Sequence, residues 1–185
     1  MRLIERLMTE HRRIEAVLDA LNGWAGAVER RECDGVGVED FLRFVGDYTD
    51  AHHHGKEEDM LFVALCESGM PRHSGPIAVM MHEHDMGRAL MATLREASVV
   101  PKPWGDEVRE SAIDAADGFA ELLRLHIQKE DQLLYVMAME QIDAAGHKKL
   151  DAAMDAFEQT HAARRVSLEA LGEALVARWA GGVVP

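Results

Sequence analysis

Apolar residues recur at spacings of three and four along residues 2–30, at Ile4, Leu7, Ile14, Leu18, Leu21, Ala25 and Val28. That rhythm predicts one amphipathic helix. The place the series skips is His11, so an imidazole stands on the buried seam, where its ring nitrogens need partners. Arg30 to Gly37, with two glycines and an aspartate, predicts a turn. A second helix is expected over residues 38–68, its apolar pattern diffuse, closed by Ser68-Gly69-Met70-Pro71. Ser74-Gly75-Pro76 opens a third, with Ser74 as N-cap. Its seam runs Ile77, Met80, His84, Gly87, Met91, Leu94, which places His84 inside and His82 off the seam. After Val99–Gly105, a fourth helix over about 106–139 carries Ile113, Ala116, Phe119, Leu122, Leu123, Leu133, Leu134 and Met137 around His126 and Glu130. Residues 140–180 predict a further helix or broken pair, with an apolar stripe from Leu150 and Met154 to Leu175 and Trp179. It is expected to pack outside the bundle or to form a contact in a homo-oligomer. His161 and the pair His147/Asp151 read as structural, and residues 181–185 as a tail.

Two of these helices carry the same phrase. His53-His54-Gly55-Lys56-Glu57-Glu58-Asp59-Met60-Leu61-Phe62 and His126-Ile127-Gln128-Lys129-Glu130-Asp131-Gln132-Leu133-Leu134-Tyr135 both read H-x-x-K-E-acid-x-apolar-Leu-aromatic. The offset of 73 positions also carries Glu10-His11 onto Glu83-His84. An internal duplication constrains the architecture more than any single motif does. Three consecutive histidines, His52 to His54, point about 100° apart on a regular helix and cannot all face one centre. The duplication selects His53, because it matches His126, whereas His52 matches Leu125 and His54 matches Ile127.

Two residues at one height of an antiparallel hairpin are equidistant from its turn. The midpoint of His11 and His53 is Glu32, that of His84 and His126 is Gly105, and that of His53 and His84 falls between Ser68 and Gly69. All three are in predicted chain breaks. The expected fold is therefore all-α, an up-down-up-down four-helix bundle over residues 1–139 made of two repeated hairpins, with an additional C-terminal helical segment. His11, His53, His84 and His126 should share one level of it.

His-x-x-x-Glu on a helix puts an imidazole and a carboxylate one turn apart on one face, within reach of a common metal ion. One level then supplies four imidazoles (His11, His53, His84, His126) and two carboxylates (Glu57, Glu130). That is too many for one tetrahedral zinc and suits two ions of higher coordination, with iron first, manganese second and zinc third. Two histidines per ion, two bridging glutamates and an oxo or hydroxo bridge leave an open position on each. Glu58 and Asp131, also related by 73 positions, are candidate acceptors for the outer ring nitrogens.

Composition narrows the partners. Of 185 residues, 33 are acidic and 20 basic, a net charge of −13 that disfavours nucleic acid and anionic membranes. No apolar run is long enough to cross a bilayer and no signal-peptide pattern is present, so a cytoplasmic protein is expected. Cys33 and Cys66 form no disulfide framework.

Glu10-His11, HHGKEEDMLF, GPIAVMMHEHDMGRAL and HIQKEDQLLYVMA resemble the hemerythrin-like (HHE cation-binding) family over roughly residues 5 to 140. The resemblance implies a four-helix bundle with a non-heme di-iron centre whose ligands are His11, His53, Glu57, His84, His126 and Glu130. The oxygen carriers of that family have another histidine four places after the third-helix one; here that place is Arg88. Either the second ion has an extra open position, or Glu83 or Glu58 swings in. Arg88 itself either meets a bound anion or pairs with Glu83 or Asp85 outside. Two functions follow as expectations. One is a di-iron protein that binds or reacts with hydrogen peroxide, oxygen or nitric oxide, in a catalase-like manner if it is an enzyme. The other is a non-catalytic iron or gas sensor or carrier.

Overall fold

The computed structural model describes residues 1–181, and the expected tail lies, Gly181 apart, outside them. Five helices account for the ordered structure: α1 (Arg2–Glu29), α2 (38–67), α3 (Gly75–Ser98), α4 (106–141) and α5 (Ala144–Trp179). There is no strand among the described residues. The first four run up-down-up-down. α1 packs against α4, α3 against α4, and α5 lies as a fifth, unbroken helix along α1.

Helix ends follow local chemistry. α2 stops in a Schellman turn: Gly69, at φ 101°, lets its own N–H reach Cys66 O at 3.0 Å and that of Met70 reach Leu65 O at 3.0 Å. The Asp143 carboxylate accepts from Gly146 N at 2.7 Å and caps α5. Ser74 holds the N-cap position of α3, but its hydroxyl makes no capping bond, contrary to the expectation from Ser-Gly-Pro. The α1–α2 and α3–α4 turns meet at one end of the bundle. There the buried Arg109 guanidinium donates to Val28 O, Asp34 Oδ1 and Trp104 O, and the Trp104 ring lies so close to Gly35 that a Cβ would stand 2.1 Å from it.

The core is split in two. One cluster gathers Ile14, Leu18, Trp24, Phe41, Phe44, Phe119 and Trp179 near that turn end. The other gathers Leu3, Leu7, Leu61, Phe62, Ile77, Met80 and Tyr135 toward the opposite end. Each such buried side chain contributes roughly 1.5–3 kcal/mol of transfer free energy. On α1, Leu7 belongs to one cluster and Ile14 to the other, so His11 stands at their boundary. A polar layer crosses the bundle there.

α2 and α4 are not regular throughout. α2 is α-helical over Val38–Phe44 and Phe62–Glu67, but π-helical over Val45–His54 and Glu57–Leu61. α4 has one π stretch, Glu130–Leu134, at the place the 73-residue offset assigns to Glu57–Leu61. π-Helix is rare and concentrates at functional sites. The uniform 100° winding assumed from the sequence fails at His52–His54, whereas His11, His84 and His126 lie in regular α-helix.

α5 is fastened to α1 by polar contacts as well as by packing. Leu3 N, one of the N–H groups a helix start leaves unpaired, donates to Asp151 Oδ1 at 3.1 Å. Arg2 forks onto Asp155, Arg6 reaches Glu158 at 3.0 Å and Arg13 reaches Glu169 at 3.0 Å. The backbone of Trp179 rests against Gly23, whose missing Cβ would fall 2.1 Å from Trp179 O.

Candidate metal centre

The widened helix places His52, His53 and His54 in three different surroundings, all buried. His52 faces α5, with its ring 5.2 Å from Phe157. His53 and His54 turn into the bundle on either side of Glu57, which follows them by four and by three positions. Those are the two spacings at which helical side chains meet. One carboxylate thereby serves two groups of imidazoles.

Two sets of donor atoms converge, each within 4.8 Å. One is His11, His53, Glu57 and Glu130; the other is His54, Glu57, His84 and His126. The six side chains singled out from the sequence are all among them, and all are at most 1% exposed. Glu130 lies between the sets, with Oε2 3.2 Å from His11 Nε2 and Oε1 3.3 Å from His126 Nε2. Glu57 Oε2 stands 3.8 Å from His53 Nε2 and 3.6 Å from His84 Nε2. The rings pack closely: His11 and His53 centroids are 4.6 Å apart, His84 and His126 4.8 Å, His54 and His84 3.8 Å.

His54 corrects the even division expected from the duplication. The sets hold two and three histidines, not two each. Beyond His84, where Arg88 stands, it is His54 of the neighbouring helix that joins the set, while Glu83 and Glu58 face the outer nitrogens of His126 and His84. The i+3 spacing of His54 and Glu57 was visible in the sequence. The match of His54 to Ile127 hid it, because the two halves differ at this position.

The outer ring nitrogens complete the pattern. Nδ1 of His53 is 2.9 Å from Glu10 Oε2, that of His126 2.9 Å from Glu83 Oε2, that of His11 2.8 Å from Asp131 Oδ1, and that of His84 2.7 Å from Glu58 Oε1. Each carboxylate accepts a hydrogen bond from Nδ1–H, so that Nε2 is the ring nitrogen that faces inward. The four contacts are two pairs related by 73 positions. Glu10 was readable in the same way as Glu83. Arg88 lies outside this shell, on Asp50, Glu58 and Asp85, and makes no contact with Glu83.

Tyr135, in the sequence only the aromatic that ends the repeated phrase, also belongs to the layer. Its hydroxyl donates to Glu57 Oε1 at 2.5 Å and sits 3.3 Å from His11 Nε2. Burial and the charges of Glu130 and Glu57 push it well above the ordinary tyrosine range, so it remains a donor.

Without a cation this layer is poorly satisfied. Glu57 Oε2 and both oxygens of Glu130 are buried with no hydrogen-bond partner. His84 Nε2 and His126 Nε2 face each other at 3.1 Å. Burial and the neighbouring Glu130 carboxylate push Glu57 well above the usual carboxylate range. Burial opposes charge on His11 and His126, but carboxylate contacts overcome it and raise them to about 9 and about 10. Burial wins at His53, lowering it to about 4. Unpartnered carboxylate oxygens amid inward-facing imidazole nitrogens are what a divalent cation satisfies. The residues fit a metal.

A third acidic group, Glu10, His52 and Glu158, already has its cation. The fully buried Lys56 ammonium sits there, 2.8 Å from Glu158 and paired with Glu10, which itself holds His53. His147 and His161 lie on α5 away from the layer, with His161 Nδ1 bonded to Phe157 O at 2.8 Å.

The model of the hemerythrin HHE cation-binding domain matches residues 2–138. The chain belongs to the hemerythrin HHE family. No curated protein and no solved structure matches it. The match spans α1 to α3 and nearly all of α4, including every member of the two donor sets. It leaves out α5, so the buried Lys56–Glu158 contact joins the hemerythrin domain to a helix beyond the family's limits. No helix among the described residues is long and apolar enough to cross a membrane.

Proposed function

We propose that the chain binds two iron ions, bridged by Glu57, Glu130 and an oxo or hydroxo group, and uses them to bind or convert a small molecule such as hydrogen peroxide, oxygen or nitric oxide. The observation that carries this reading is the pair of donor sets sharing Glu57, rich in imidazole and free of thiolate. Such a mixture of nitrogen and carboxylate donors suits iron, then manganese. When bound, a redox pair of this kind supplies electron exchange with a small ligand.

The chain's own part is legible in its contacts. The four acidic partners hold the Nδ1 side of His11, His53, His84 and His126, which leaves Nε2 as the nitrogen a metal would take, displacing the proton that His11 and His126 carry there. The Tyr135 hydroxyl orients Glu57 and offers a hydrogen-bond donor beside His11. Apolar clusters pack above and below the layer. Five imidazoles and two carboxylates are fewer donors than two octahedral ions need, even with both carboxylates bridging, which leaves room for an exogenous ligand. Oxygen evolution from peroxide by the iron-loaded protein, lost in Glu57→Ala, tests the catalytic form; no reaction with peroxide, oxygen or nitric oxide would refute it.

A second reading, as an iron or gas sensor, is favoured by one contact. Glu158 on α5 reaches His53 through Lys56 and Glu10, so a change at the centre is felt by a helix outside it. Metal-dependent protection of α5 in hydrogen exchange would support this form, and identical exchange in metal-free and loaded protein would exclude it.

A further inference from the structure

Between α2 and α3 a chamber of about 150 Å³ opens from the surface down to His54 and His84. Its walls are mainly apolar, supplied by Leu42, Val45, Met91, Phe119 and Leu123. Two features show that it is more than a packing defect. Thr49 lines it, 1% exposed, and its hydroxyl has no hydrogen-bond partner, where a helical threonine ordinarily bonds back to its own backbone. Gly46, one turn earlier, offers no side chain; a Cβ built there meets nothing within 4 Å.

Charge at the mouth does not select anions. Two guanidiniums, Arg88 and Arg95, and two carboxylates, Asp50 and Glu83, line it, so the charges balance. Arg88 is engaged by Asp50, Glu58 and Asp85, and Glu83 by Lys129 and His126. This lining suits a molecule that is small, uncharged and content with apolar walls. At the floor it meets His54, the least restrained of the five imidazoles. Its Nδ1 is 3.5 Å from Asp50, whereas the other four lie within 2.7–2.9 Å of their carboxylates.

We propose that this chamber is a binding site for small uncharged molecules, of the class of dioxygen, nitric oxide or hydrogen peroxide, and that they reach the metal layer through it past His54. The second half of this statement rests on the small-molecule function proposed above. A cavity of this size and lining accepts a xenon atom, which makes a probe independent of any metal chemistry.

Crystals of the full chain pressurised with xenon should show an atom between Thr49, Met91 and Phe119, absent in Gly46→Leu. In the iron-loaded, reduced protein, Gly46→Leu should slow nitric oxide association by about tenfold or more, with iron content and the final spectrum unchanged. Thr49→Leu blocks the chamber from a second point should Gly46→Leu disturb α2, and Gly46→Ala should behave as the parent. No xenon in the chamber, or an unchanged nitric oxide rate in both blocked variants, overturns the proposal. Xenon in the chamber with no nitric oxide binding by the parent keeps the site and refutes the functional reading instead, so the two failures are distinct.

Discussion

The two halves of the hemerythrin domain repeat one another to the level of single contacts, and then differ where it matters. Glu10 holds His53 as Glu83 holds His126, and Lys56 pairs with Glu10 as Lys129 pairs with Glu83. In the second half the lysine is 43% exposed; in the first it is fully buried beneath α5 and shared with Glu158. The inner layer differs as well. His54 has Ile127 as its counterpart, and Tyr135, which reaches Glu57, has Phe62, which stacks toward His84. The duplication supplies a symmetric cage, while the departures from it decide which side carries three imidazoles, which side carries a hydroxyl, and which side communicates with α5.

The largest effect should come from the buried lysine. Lys56→Met leaves Glu10 and Glu158 without their cation and should cost about 3–5 kcal/mol in chemical denaturation. Lys129→Met, the same change on the exposed side, should cost about 0–1 kcal/mol. Equal losses would mean that burial under α5 does not distinguish the halves. Next, His54→Leu should weaken one metal by about 100-fold, at or beyond the upper range for outer contacts, measured by competition with a chelator. Ile127→Leu should leave both ions in place. Glu10→Gln and Glu83→Gln should each lower metal affinity by about 10–100-fold, because either change frees an imidazole to take the wrong tautomer.

Acid and base behaviour is a weaker but sharper test. In the metal-free protein His11 and His126 keep their protons up to about 9 and about 10, so metal must displace them. Metal affinity should therefore rise with pH through neutrality and level off only above those values, with proton release measurable by calorimetry in two buffers. Glu158 is lowered to about 2; burial opposes its charge, but His52, Lys56 and Arg6 prevail. Its contribution to the docking of α5 is thus complete above the ordinary glutamate range and lost as pH falls toward 2. Hydrogen exchange should show α5 loosening before the bundle in that window, and less so in Glu158→Gln, which has already lost the contact.

The sequence disclosed the bundle because its seams are regular and its duplication sets register. His11 and His84 were legible as gaps in apolar series, and the midpoints of the hairpins placed four imidazoles at one level. What escaped was local winding. Nothing in residues 45–61 announces i→i+5 hydrogen bonding, and it is this that turns both His53 and His54 inward. Tyr135 was hidden for a different reason. In the repeated phrase it reads only as the aromatic that matches Phe62, and only the position of its hydroxyl against Glu57 reveals its role. The contact of α5 with Lys56 depends on tertiary placement that no spacing within α2 encodes.

Metal content after loading with ferrous iron tests the account most directly. Two iron ions per chain in the parent, with His54→Leu retaining one tightly and releasing the other, is the predicted result. Loading at one ion or none in the parent, or two tightly held ions in the absence of the His54 imidazole, would contradict a centre built from two unequal donor sets joined by Glu57.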